Sequence, residues 1–362
     1  MHKKNISSNR NSLIDPYKIS VVLPVFNGQS FLREAIDSIL EQSFQEFEFI
    51  IINDGSTDNT INIIKSYNDN RIHLVENKQN LGITKCLNIG IKLARGEYIA
   101  RMDADEISIS SRFEKQIAFL EKNKEIGICG TLTKTIGKTV ESTWQYPIDH
   151  ERIKVSLLFH CCLVHASVMI RNIILKNYNL FYSENYPCAE DYELWVRLSK
   201  ITRIANIDEV LIRNRIHNNS IRAKHNALQV KTANNIRENQ LKELMISLTD
   251  EDVCFHNKIV HLNVNADNFF LIKTYNWFLK LYDENKVNKN YKDDVFAEIL
   301  AKRLKKIMLR TKTCSPSTLR FIFSSPFAPY INISFKQKVF LFWKIVRNRF
   351  STLCSGAIWM GF

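Results

Sequence analysis

Over the first third of the chain, short apolar runs rich in β-branched residues alternate with stretches of helical spacing. Ile19–Val25 (ISVVLPV) reads as a buried strand, broken by Asn27-Gly28. Phe31, Ala35 and Ile39, with Leu32, Ile36 and Leu40, then recur every four residues, which is one face of a helix. Residues 47–52 form a second apolar run ending in Asn53-Asp54-Gly55-Ser56. Ser56 or Thr57 is expected to cap the next helix, with Ile61 and Ile64 on its apolar side. A third strand is expected over residues 72–75 and a helix over 82–94, stopped by Gly96. A fourth, over 98–102, runs straight into Asp103-Ala104-Asp105. Strands alternating with helices predict an α/β layer around a mainly parallel sheet. Ligands of such sheets bind beyond the carboxyl ends of the strands. Phe26, Asn27, Asp54, Asp103 and Asp105 all fall at such ends.

Beyond Gly130 the rhythm loosens. Residues 164–170 read as a strand, and residues 190–199 as a helix with Leu194, Trp195 and Leu198 facing inward. Residues 223–312 carry a mostly helical pattern rich in Asn, Lys and Glu. Ser315-Pro316, Ser325-Pro326 and Pro329 then break it. The expected organisation is a polar tail over 1–18 and an α/β segment over 19–222, divided into 19–130 and 131–222. A helical extension over 223–314 and a final segment over 315–362 follow.

Composition narrows the class. With 362 residues, 45% hydrophobic and 24% charged, the chain has the make-up of a folded protein of about two domains, which excludes disorder and small disulfide scaffolds. The net charge of +13 is not spread evenly: residues 299–362 hold twelve Lys and Arg and no acid, leaving +1 on the rest. The final segment is also aromatic, with Phe321, Phe323, Phe327, Tyr330, Phe335, Phe340, Phe342, Trp343, Phe350 and Trp359. Its longest unbroken run of large apolar residues is 339–343, far short of the roughly 20 that span a bilayer. A helix over 335–350 would put Lys336, Lys344 and Arg347 on one side, with Lys338 and Arg349 elsewhere and Phe340 interrupting the stripe. The segment is read as associating with an anionic membrane surface, with packing on the rest of the chain or against a partner as the alternative. The N-terminus lacks the apolar core of a secretory signal. Eight cysteines show neither C-x-x-C nor zinc spacing, which fits a reducing cytosol, and Cys161-Cys162 reads as packing. No nucleic-acid-reading module appears, so no nucleic-acid partner is expected.

The candidate chemistry is acidic. Residues two apart in extended chain point the same way, so Asp103 and Asp105 can approach one cation. Two carboxylates with open positions suit Mg²⁺ or Mn²⁺, with phosphate oxygens completing the shell. Alone, such a pair is a common turn feature. Its context changes that reading.

VVLPVFN, NDGSTDNT, NLGITKCLNIGIKLARGEYIARMDADE and AEDYELWVRL occur in that order, and together they resemble the family 2 glycosyltransferases. The resemblance covers roughly residues 19–220 and matches the subset that builds bacterial surface polysaccharides. It implies the nucleotide-sugar-binding GT-A fold, a mixed, mainly parallel sheet flanked by helices, here with a C-terminal helical extension. It also implies an inverting transferase using Mn²⁺ or Mg²⁺. By that resemblance Asp103 lies nearer the ribose and Asp105 on the metal, Asp54 receives a uracil or ribose hydrogen bond, and Pro24, Phe26 and Asn27 line the base site. Asp191 is the implied general base, with Glu190 beside it. His217 is placed near the diphosphate or metal and His165 beside the acceptor. Lys85 and Arg101 are either phosphate contacts or solvated cations. Glu106 departs from the pattern, since many relatives carry Asp there.

The implied donor is a UDP-hexose or UDP-N-acetylhexosamine. The acceptor would be a lipid-linked or growing glycan at the inner face of a cytoplasmic membrane, with the enzyme cytoplasmic and peripheral. An oxidoreductase is disfavoured by the absence of G-x-G-x-x-G after the first strand. A nucleotidyltransferase is disfavoured by the lack of a Gly- and Arg-rich loop there. The remaining alternative is a non-catalytic nucleotide-sugar-binding or assembly protein. The retention of both Asp105 and Asp191 argues against it, because binding alone needs no base.

Overall fold

The computed structural model describes residues 17–137, 142–217, 225–245, 247–261 and 266–356, with side chains described as far as residue 346. Most of the expected polar N-terminal tail lies outside the described residues. So do Trp359 and the side chains of Arg347, Arg349 and Phe350. The chain folds into two compact units. One is built from residues up to Gln145 with Leu163–Glu184 and Asn206–His217; the other comprises Tyr146–Cys162, Asn185–Ala205 and the residues after His217.

The first unit is organised by β1 (Ile19–Val25), β2 (Phe47–Asn53), β3 (Ile72–Glu76) and β4 (Tyr98–Arg101). These four are parallel in the order β3-β2-β1-β4, with Val25 level with Asn53 and Val22 level with Arg101. β1 and β2 are buried along their whole length, which explains why their sequences are near-continuous apolar runs, interrupted by Ser20, Glu48 and Asn53, rather than alternating ones. Antiparallel pairing begins at β8 (Met169–Arg171), which joins β4 to β6 (Ile126–Ile136). β9 (Arg203–Arg215) and the short β5 (Ile107–Ser108) close that side, and β7 (Thr143–Trp144) pairs with β6. The sheet is therefore mixed, with its parallel half where strand–helix alternation was read.

Helices α1 (Leu32–Leu40), α2 (Thr60–Lys65), α3 (Ile83–Leu93), α4 (Arg112–Lys122) and α6 (Asn172–Asn177) belong to this unit. α3 packs closely on β1 because Gly90 has no side chain; a Cβ there would lie 2.3 Å from a Val22 methyl. Pro24 is tolerated in a central strand because β1 pairs with β4 only as far as Val22, leaving Pro24 paired on the β2 side alone.

Two local expectations change. α2 starts at Thr60, and Asp58 Oδ1 accepts the Thr60 N–H at 3.0 Å, so Ser56 and Thr57 do not cap it. Only residues 169–171 of the stretch 164–170 and its neighbour are strand; His165–Ser167 is a 3₁₀ turn. There the Ser167 hydroxyl donates to Val164 O at 2.8 Å, a local bond that competes with the ladder.

The second unit is helical: α5 (His150–Ser156), α7 (Glu190–Ile201), α8 (Asn226–Leu244), α9 (Asp250–His261), α10 (Asn268–Asn288), α11 (Asp293–Arg310), α12 (Pro316–Phe323) and α13 (Phe335–Gly356). Its core joins Leu158 and Phe159 to Phe278, Phe296, Leu300 and Leu304. In α7, Leu194, Trp195 and Leu198 are fully buried, as their spacing requires. Lys344 departs from its expected surface position. It is buried, and its ammonium donates to the carbonyls of Met308 and Leu309 at 3.3 and 2.8 Å, satisfying the C-terminal end of α11. No helix among the described residues is long and apolar enough to cross a membrane.

Candidate active site

Because β1, β2 and β4 are parallel, their carboxyl ends share one edge of the sheet, and the loops leaving them are tied together. Asn27 has φ 51°, a left-handed conformation that Asn tolerates. Its N–H donates to Ser56 Oγ at 3.0 Å, and its side-chain oxygen accepts the Thr57 N–H at 2.8 Å. One residue on, the Gly28 N–H donates to Thr60 Oγ1 at 2.8 Å. Pro24 is buried beneath this junction, while Phe26 is 48% exposed at its surface. The junction thus holds an aromatic ring in solvent on a rigid base.

Asp54 is buried at the end of β2. Its carboxylate accepts from Asn77 Nδ2 at 2.8 Å and from the N–H groups of Leu81 and Gly82, both at 2.9 Å. Burial works against its charge, but the bonds from Leu81, Asn77, the Cys86 thiol and Gly82 outweigh it and hold the carboxyl below its ordinary range. Asp54 therefore fixes the chain leading into α3. Neighbouring Gly55 has φ +68°, and a Cβ there would meet the Gln79 backbone at 2.7 Å. Lys85, in the first turn of α3, is half exposed with its ammonium 3.7 Å from Glu184.

At the end of β4, Asp103 and Asp105 occupy one turn. Arg101 is buried and forms an ion pair with Asp103, so it is neither a solvated cation nor open to a phosphate. Burial, then the negative charge of Asp105, pushes the Asp103 carboxyl up, against the pull of Arg101. Asp105 Oδ2 meets His217 Nε2 at 2.8 Å. The ring of His217 packs on Phe31 with centroids 4.9 Å apart, and its buried Nδ1 has no partner among the described residues. Arg215 Nε donates to Asp105 O at 3.1 Å while its guanidinium pairs with Glu34 at 2.8 Å. Glu106 is buried, takes a bond from Asn214 on one oxygen and leaves the other without a partner. Burial and the two aspartates raise its carboxyl well above the ordinary range.

One supporting residue had no signal in the pattern. Arg112 is wholly buried, and its Nη2 donates to the carbonyls of Arg101 and Val168 at 2.9 and 3.2 Å. It ties the end of β4 to the turn before β8. On α4 its side chain reads as one more surface cation, and only the fold shows that it points inward. His165 Nε2 meets the Tyr182 hydroxyl at 2.9 Å, and burial holds this imidazole neutral.

Glu190 and Asp191 belong to the helical unit, in the first turn of α7, where negative charge is favoured by the helix dipole. Glu190 is buried. Asp191 Oδ1 accepts its neighbour's N–H, from Tyr192, at 2.7 Å, and the Cys161 thiol donates to Oδ2 at 3.8 Å. Cys161 sits on a segment gripped carbonyl by carbonyl. Leu157 O accepts from the Tyr192 hydroxyl and from Gln240 at 3.0 Å, and Leu158 O meets His256 Nε2 at 3.0 Å. Phe159 O accepts from Arg237 at 3.3 Å, and Arg303 donates to His160 Nδ1 at 2.6 Å. Of the residues singled out in the sequence, Pro24, Phe26, Asn27, Asp54, Lys85, Asp103, Asp105 and His217 share the sheet unit, while Glu190 and Asp191 share the helical one.

Comparison with known proteins decides the family. The model of the glycosyl transferase family 2 matches residues 20–178. A Haemophilus influenzae protein named as an uncharacterized glycosyltransferase is 35% identical over 239 residues, covering 61% of this chain and 72% of that protein. The chain belongs to glycosyltransferase family 2. As a family 2 glycosyltransferase it also shares its fold with solved enzymes of low identity. Staphylococcus aureus TarS 1–349 in complex with UDP-GlcNAc superposes with a TM-score of 0.51 at 18% identity, over 87% of this chain and 89% of that one. The mannosyltransferase PcManGT of Pyrobaculum calidifontis, in complex with GDP-Man and Mn²⁺, gives 0.51 at 12% identity, over 90% and 87%. The fold is GT-A, as the strand pattern and motifs led one to expect.

Proposed function

We propose that this family 2 glycosyltransferase moves a hexose or N-acetylhexosamine from a UDP-sugar to a hydroxyl of a lipid-linked or growing surface glycan, with inversion. The observation that carries the reading is the grouping of Phe26, Asp54, Asp103 and Asp105 at one sheet edge. In this reading the exposed ring of Phe26 stacks on the base, with Pro24 and Asn27 shaping its support. Asp54 is held by bonds from Asn77, Leu81, Gly82 and the Cys86 thiol, and in this reading it also receives a uracil or ribose hydrogen bond. Asp103 lies nearer the ribose, and Lys85 supplies positive charge for the diphosphate.

In this reading Asp105, Asp103 and His217 would hold a hard divalent ion, Mn²⁺ or Mg²⁺. The unpartnered Nδ1 of His217 and the second oxygen of Glu106 are polar atoms that such a charge distribution would satisfy. Phosphate oxygens of the donor would complete the shell. When bound, the ion would neutralise the departing diphosphate. The complexes of TarS with UDP-GlcNAc and of PcManGT with GDP-Man and Mn²⁺ are consistent with a nucleotide-sugar donor and such an ion.

Asp191 is the base in this reading. As the acceptor oxygen bonds to the anomeric carbon and the bond to the diphosphate breaks, the acceptor proton passes to the Asp191 carboxylate. Attack opposite the leaving group inverts the centre. Glu190 supports the same helix terminus. Residues 19–222 carry catalysis, with 19–130 holding donor and 131–222 serving the acceptor. Residues 223–314 form the helical extension, and 315–362 bring the enzyme to the inner face of an anionic cytoplasmic membrane.

The test is a screen of nucleotide sugars for release of nucleoside diphosphate, with Mn²⁺ or Mg²⁺ and with chelator. UDP release from one UDP-sugar, abolished by chelator, is expected. Turnover of GDP-sugars with UDP-sugars inert would overturn the donor, and turnover in chelator would overturn the metal.

A further inference from the structure

The last helices of the chain enclose an apolar groove of about 580 Å³. Leu319, Phe323, Ile331, Ile333, Leu341 and Phe342 line it, and Lys338 is the one charged residue of its lining. The volume is in the range of small-molecule sites. The two helices that contribute most of its lining also carry exposed rings: Phe321, Phe335, Phe340 and Trp343 are 63%, 80%, 50% and 64% exposed. A folded chain rarely leaves so many large rings in water unless something covers them.

Charge identifies the occupant. Lys336 and Lys338 are exposed on α13, and from residue 299 onward the sequence contains no acid to neutralise them. Lys344 is not part of this surface, since it caps α11 from within. An apolar cleft, exposed aromatic rings and unopposed cations together match an anionic amphiphile: chain in the cleft, rings at the interface, lysines at the headgroup.

We propose that this groove takes the acyl chain of an anionic membrane phospholipid, with Lys338 meeting its headgroup and Lys336, on another side of α13, adding positive charge toward the membrane surface. The proposal deepens the membrane-surface reading given above and is independent of the transferase chemistry. It turns general adsorption into a site with a defined lining.

The test uses the full chain and two probes. The first is monomeric lysophosphatidylglycerol with a brominated acyl chain, kept below micelle formation, with the phosphocholine analogue as control. Saturable quenching of Trp343, lost in Trp343→Phe, is expected with the anionic lipid and at least tenfold weaker with the control. Phe323→Ser/Phe342→Ser, two exposed positions whose change does not threaten the fold, should abolish that quenching. The second probe is a vesicle of phosphatidylcholine, with and without phosphatidylglycerol. Lys336→Gln/Lys338→Gln should weaken partition into the anionic vesicle about thirtyfold, from about 1 kcal/mol per cation near the surface.

Monomeric lipid binding that the Phe323→Ser/Phe342→Ser variant leaves intact would overturn the groove. So would light scattering showing that these two substitutions convert a dimer to a monomer, because a second copy would then be the occupant. Charge-dependent vesicle binding without acyl-chain quenching would leave the membrane reading standing and remove the groove alone. Saturable monomer binding without vesicle partition would do the reverse.

Discussion

At the carboxyl edge of the sheet, each singled-out side chain lies within a few residues of the strand that carries it. Phe26 follows Val25, Asp54 follows Asn53, and Asp103 comes two after Arg101. Asp191 is set differently. It opens α7 beside Cys161, on a segment held by Tyr192, Gln240, His256, Arg237 and Arg303, and the last of these pairs with His160 from 143 residues away. The first arrangement is local chemistry on a parallel sheet. The second is a short segment positioned by distant helices. Under the proposed roles, the sheet unit recognises the donor and the helical unit supplies the base, so substitutions in the two should fail in different ways.

The sharpest separation comes from Asp191→Asn. It keeps the size and the acceptor for the Tyr192 N–H but removes the basic carboxylate. A positioned base contributes on the order of 10²–10⁴ in rate. Turnover should fall on that scale, while UDP affinity by calorimetry stays within about twofold, well under 1 kcal/mol. If UDP affinity fell with turnover, the division between the two units would be broken.

The reciprocal change is Asp105→Ala. It removes a carboxylate from the acidic turn and frees His217. Contacts to charged groups are worth about 1.5–3 kcal/mol, so UDP affinity in Mn²⁺ should fall about tenfold to a hundredfold. Affinity in chelator should not change. Equal affinity with and without metal in the parent protein would remove the proposed role of Asp105.

Phe26→Ala tests the local arrangement without touching a charge. Stacking of a base on an aromatic ring contributes about 1–3 kcal/mol. Affinity for UDP should fall at least about fivefold, the lower end of that range, while affinity for pyrophosphate should not change. Because Phe26 is half exposed, thermal stability should stay within about 0.5 kcal/mol of the parent. An equal loss for UDP and pyrophosphate would show that the ring supports the loop instead.

The contrast between the two regions also explains what could be read from the sequence. Parallel strands buried on both faces leave continuous apolar runs, and the residues just beyond them stand out by interruption. That made β1, β2, β4 and the acidic turn legible, while β3, partly exposed at the sheet edge, is legible only as a shorter run that includes His73. Arg101 and Arg112 were not, because a cation next to an apolar run looks the same whether it turns outward or inward. Their burial depends on Asp103 and on the Arg101 and Val168 carbonyls, which the fold supplies. The capping of α2 was misplaced for a related reason. Ser56 and Thr57 have the right chemistry for a cap, but Asn27, 30 residues away from Thr57, takes that chemistry up. In the helical unit the pattern identified α7 and its inward face. Nothing in it tied residues 157–160 to Arg237, His256 and Arg303. Lys344 shows the same limit, since its spacing on α13 says nothing about the unsatisfied carbonyls of α11.

The smallest effect at neutral pH, and the one that probes the distant grip most directly, is His256→Gln. His256 is fully buried between Leu158 O and the Trp277 indole, which donates to its Nδ1 at 3.2 Å. Burial first, then the positive charges of Arg237 and Arg303, pushes its pKa down from 6.5 to about 3, against the bond to Leu158. The sign follows from proton counting. Between pH 6.5 and about 3 the unfolded chain binds a proton at this position that the folded chain refuses, so stability falls as the pH drops through that window. Gln can donate to Leu158 O and accept from Trp277 but cannot titrate. At pH 7.5 the variant should therefore melt within a few degrees of the parent; by pH 4.5 the gap should close or reverse. His160, pushed to about 3 by burial and Arg303, remains in the variant, so its acid limb is shallower rather than flat. A constant difference in melting temperature across the whole range would mean that His256 contributes packing alone, and that the grip on residues 157–160 carries no pH dependence at this position.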